Sequence, residues 1–76
     1  MKTLTQNQIK VTEKALFDGY EFDTNCKFKY VGTDIYGNMV FESKKLGYTR
    51  FANAEKAEAF VKKAGRALHE EFLKAA

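Results

Sequence analysis

A chain of 76 residues with 45% hydrophobic and 30% charged side chains is long enough for one domain, and its seven Phe and four Tyr exclude a disordered tail. The net charge of +3 and an isoelectric point near 9.0 are mildly basic and spread along the chain. That excludes a basic nucleic-acid-binding tail but not a basic patch gathered by folding. The single cysteine, Cys26, excludes an internal disulfide framework. MKTLTQNQIK has no apolar leader, and no apolar run reaches spanning length, so the expectation is a cytoplasmic protein with no membrane partner.

The first helix is announced by its start. Thr5 stands as N-cap with Gln8 three positions on, the spacing of a capping box, and Leu4 and Ile9 occupy the two positions of a hydrophobic staple. The helix should begin at Gln6. Ile9, Thr12 and Leu16 share a face that widens to Val11, Ala15 and Phe17, with Lys10, Lys14 and Asp18 opposite. Gly19 is placed to end it.

YEFDTNCKFKYVG then alternates with period two: Tyr20, Phe22, Cys26, Phe28 and Tyr30 on one phase, Glu21, Asp23, Lys27 and Lys29 on the other. This predicts a strand with one wet face, bent at DTN. NMVFES is a second strand with Met39 and Phe41 inward and Val40 and Glu42 outward. After a KKLG turn, YTRF is a third, with Phe51 inward and Tyr48 and Arg50 on the wet face. The remainder, from an N-cap at Asn53, reads as one helix with the apolar stripe Ala57, Phe60, Val61, Ala64, Leu68 and Phe72. Its other face pairs Glu58 with Lys62, Arg66 with Glu70 and Glu70 with Lys74 at i,i+4, and Gly65 marks a close approach to the first helix.

The predicted fold is α+β, a single small domain over 1–76 of order α-β-β-β-α, in which two helices pack on one face of a three-stranded antiparallel meander. The bare face should show Lys27, Lys29, Val31, Val40, Glu42, Tyr48 and Arg50.

Few functions are suggested by these residues. His69 falls on the polar side of the last helix and Cys26 on an inward strand phase, so the two should not meet as base and nucleophile. One Cys and one His cannot make a zinc site, and no phosphate-cradling or metalloprotease motif occurs, so no enzyme activity, metal or cofactor is expected. Lys27, Lys29, Tyr48 and Arg50 on one sheet face would combine phosphate-neutralising charge with an aromatic platform, the basis of a nucleic-acid-binding alternative.

Two resemblances touch that alternative. The order α-β-β-β-α resembles that of double-stranded-RNA-binding domains, whose second helix opens on a Lys-rich run; here Lys62 and Lys63 come two turns in. GYTRFANAEKAEAFVKKAGRALH looks like the end of AP2-type DNA-binding domains, without the Trp and Arg residues those domains place on their strands. Neither assigns a family.

The loop GTDIYGN carries the remaining signal. Gly32, Asp34, Gly37 and Asn38 supply turn chemistry, so geometry does not require Ile35 or Tyr36. Either the pair caps the core, or it anchors another protein, a role in which Tyr is enriched. Leu73, on the polar side of the last helix, is a candidate for the same surface or for a self-association seam. The reading favours a small non-enzymatic intracellular binding protein, an accessory factor or inhibitor.

Overall fold

The computed structural model describes residues 4–17 and 24–75. Helix α1 spans Gln6–Phe17, strands β1, β2 and β3 span Phe28–Thr33, Met39–Ser43 and Gly47–Phe51, and helices α2 and α3 span Ala54–Ala64 and Arg66–Lys74. The strands form one antiparallel sheet in the order β1-β2-β3, so the α+β meander expected from the sequence is what forms.

The capping box forms as its spacing requires. The Gln8 N–H donates to Thr5 Oγ1 at 3.1 Å and the Thr5 N–H to Gln8 Oε1 at 3.0 Å. The same two side chains also reach the far end of the chain: Thr5 Oγ1 donates to the Ala75 carbonyl at 2.7 Å and Gln8 Nε2 to that of Phe72 at 3.4 Å. Gln8 is therefore buried, and Thr12, also buried, returns its hydroxyl to the Gln8 carbonyl. Both polar groups stay inside because both are satisfied.

The core has two joined parts. Ala15, Val61 and Phe72 pack between the helices, and Phe41, Phe51 and Ala57 pack between helix and sheet. Leu4 and Phe60 touch both. Phe41, fully buried, lies between Tyr30 and Phe51 in tilted and edge-on ring contacts at 5.3 and 5.7 Å.

Five sequence expectations need correction. Cys26 is buried as predicted, but in a 3-10 turn, Thr24–Cys26, with β1 starting only at Phe28. The final helix is two helices, because Gly65 takes an extended conformation (φ 168°, ψ 149°) that closes α2 and opens α3. Gly65 is not a close approach either, since a methyl group there would meet nothing within 4 Å. An unbroken helix would hold positions 58 and 69 about 16 Å apart along its axis, whereas the extended link at Gly65 lets Glu58 Oε2 and His69 Nε2 meet at 3.2 Å, and His69 is sheltered, 19% exposed, rather than solvated. Finally, Val40 does face outward but is 7% exposed, for a reason given below. Asp18, Gly19, Tyr20, Glu21, Phe22 and Asp23 lie outside the described residues.

Candidate functional site: the β1–β2 hairpin tip

The tip is built around one carboxylate. Asp34 Oδ1 accepts the N–H groups of Tyr36 and Asn38 at 2.9 and 3.0 Å, and Oδ2 accepts Asn38 Nδ2 at 3.0 Å. Backbone bonds from Asp34 N–H to the Asn38 carbonyl and from Gly37 N–H to the Asp34 carbonyl close the loop at 3.0 and 3.1 Å. Gly37 supplies the left-handed φ of 83° that the return requires. Such an Asx-type turn competes well with other backbone arrangements because one side chain satisfies successive N–H groups. Chiefly through the Asn38 side chain, this network holds the Asp34 carboxyl below its ordinary value of 3.8, with the Asn38 and Tyr36 N–H groups and Arg50 assisting.

Arg50 Nε stands 3.5 Å from Asp34 Oδ2. Arg50 is on β3 and Asp34 follows β1, so the ion pair crosses β2 beside Val40, the register partner of Arg50. An outward Val on the central strand is thereby sheltered. Arg50 also lies over the Tyr48 ring at 5.6 Å, and the Glu42 carboxylate, the register partner of Tyr48, pushes the Tyr48 ionisation upward.

On this frame Ile35 and Tyr36 are 91% and 81% exposed. They are not a lid on the core. Leu73 is exposed too, at 53%, on α3. The four basic-face candidates are divided: Tyr48 and Arg50 sit on β3, while Lys27 precedes β1 with its ammonium 5.6 Å from the Phe17 ring centre. Lys29, on β1, lines a groove with Gln6, Ile9, Lys10, Glu13 and Tyr30. The strand between them keeps the two pairs about 10 Å apart. Among the described residues no three His, Cys, Asp or Glu side chains gather to hold a metal ion, and no helix is long and apolar enough to cross a membrane.

Sequence reasoning missed one contact that shapes the sheet. Glu13 Oε2 accepts the Tyr30 N–H at 2.6 Å, so α1 covers the outer edge of β1. No sequence signal marks Glu13, because its partner is 17 positions away.

Fold and tip together define a small α+β domain that presents two apolar side chains on a braced hairpin. No protein family, curated protein or solved structure matches the chain.

Proposed function

We propose that this protein binds another protein through the hairpin tip, with Ile35 and Tyr36 as anchors and no catalytic role, in the manner of an accessory factor or inhibitor that covers a partner's surface. One observation carries the reading: two large apolar side chains stand 91% and 81% exposed on a loop held by Asp34. Exposed apolar side chains gain when a partner buries them, and a braced loop loses little conformational freedom in the process. A rigid Tyr beside an aliphatic side chain has the composition of an interface hot spot. Leu73 offers a further apolar contact on α3.

The nucleic-acid alternative has less behind it. The Arg50 charge is countered by Asp34, Glu42 stands between Lys29 and Tyr48 in the sheet register, and Lys27 lies against Phe17 ahead of β1.

The test uses the wild type and Ile35→Ala/Tyr36→Ala as paired baits in a lysate of the source cell, followed by titration of the captured protein in purified form. The double variant should melt with the wild type, within about 0.5 kcal/mol, and lose about 2 kcal/mol or more of binding free energy. A partner held equally by both baits sinks the anchor role.

A further inference from the structure

The two edges of the sheet are treated differently. The β1 edge is occupied, with Tyr30 N–H turned away from β2 to Glu13. That bond fixes the hydrogen-bonding phase of the whole sheet. If Tyr30 points away from β2, its partner Phe41 must point away from β1 and bond β3, so Thr49, opposite Phe41, bonds inward. Tyr48 and Arg50 must then direct their backbone N–H and C=O groups out of the free edge of β3. Among the described residues no strand lies beyond β3, and no backbone hydrogen bond outside the sheet involves Tyr48 or Arg50. A regular, unbulged edge of this kind is a template for another strand.

We propose that the β3 edge pairs antiparallel with the β3 edge of a second copy of this chain, joining two three-stranded sheets into one of six. The strand's own sequence selects that occupant. In GYTRF, a two-fold axis at Thr49 sets Tyr48 opposite the partner copy's Arg50 and Arg50 opposite its Tyr48. In that register both pairs exchange backbone hydrogen bonds, so all four outward groups of each copy are satisfied at once. The same register lays each guanidinium beside an aromatic ring on the outer face, a cation–π pair formed twice by symmetry. Moving the axis to Arg50 would oppose two like charges. Thr49 is therefore the centre that complements itself, as an isologous interface requires. This surface is separate from the hairpin tip, and the tip's partner plays no part in it.

Substitutions at Tyr48 test the register because their effects on one copy and on the pair run in opposite directions. Tyr48→Lys sets a second cation opposite each Arg50 but places it beside Glu42 within its own chain. Tyr48→Glu sets a carboxylate opposite each Arg50 but beside Glu42. Sedimentation of the wild type over a concentration series should give a monomer–dimer equilibrium, weakened about tenfold or more by Tyr48→Lys and kept by Tyr48→Glu. Amide exchange adds a direct readout: Tyr48 and Arg50 should become protected as concentration rises, whereas Thr49 is protected throughout. A wild type that stays monomeric across the series overturns the proposal and leaves the edge to a strand of another protein. A dimer that ignores both Tyr48 variants, or leaves the Tyr48 and Arg50 amides unprotected, also overturns it.

Discussion

The two hairpins of the sheet solve the same turning problem in opposite ways. The β1–β2 tip is held by its own residues, with Asp34 as the hub, and touches the rest of the molecule through Arg50. The turn between β2 and β3, Lys44 to Leu46, is instead tied to a distant segment. Ser43 Oγ donates to the Asn25 carbonyl at 2.9 Å and accepts the Leu46 N–H at 3.2 Å, while the Lys45 N–H reaches the same Asn25 carbonyl at 3.0 Å. A self-contained loop leaves its side chains free to face outward. A tethered loop gives up that freedom to fasten the 3-10 turn that carries Cys26 against the sheet.

Substitutions can break or sharpen that contrast. Ser43 is buried, so Ser43→Ala should have the largest effect, about 1 to 3 kcal/mol by chemical denaturation, because one hydroxyl serves two backbone groups. Next come Gly37→Ala and Gly47→Ala. Each position has a left-handed φ, 83° and 87°, and each change should cost about 1 to 2 kcal/mol. Equal costs would mean that backbone geometry, not tethering, sets the stability of both turns.

The acid response separates the two hairpins further. Asp34 has a lowered pKa in the fold, so its ionised form is favoured there, and its contribution to stability is complete above the ordinary value of 3.8. It is lost as pH falls through the lower folded value. Amide signals of Tyr36 and Asn38 should shift in that acid window, and the Lys44 to Leu46 turn, whose anchors do not titrate, should not follow. Asp34→Asn should remove the transition. The smallest effect on stability belongs to Ile35→Ala/Tyr36→Ala, within about 0.5 kcal/mol, since exposed side chains leave no cavity when truncated. A larger drop in melting temperature would mean that the tip supports the fold after all.

What the sequence revealed follows the range of the interactions. The start of α1 was legible because Thr5, Gln8, Leu4 and Ile9 act within one turn of each other. The inward phase of Phe41 and Phe51 was legible because strand periodicity is local. The break at Gly65 was not, since Ala, Lys and Glu run helix-forming on both sides and a single Gly fits a continuous helix as well as a junction. The 3-10 turn was hidden because Cys26 keeps the alternation of Phe28 and Tyr30 while lying outside the strand. At the tip, residue types flagged Ile35 and Tyr36, but their exposure depends on where the hairpin points. The sheltering of His69 and Val40 depends on Glu58 and on the Arg50–Asp34 pair, partners that no local pattern names.

The cap of α1 carries a kinetic consequence. Half of it is local, closing over three positions, and half spans 70 positions to the Ala75 carbonyl. Bringing such distant segments together costs closure entropy that local turns do not, and contacts of high sequence separation slow folding. The first helix can therefore nucleate at its own capping box, but its N-terminus is finished only when the last turn of α3 arrives. The beginning and end of the described chain complete a single cooperative event.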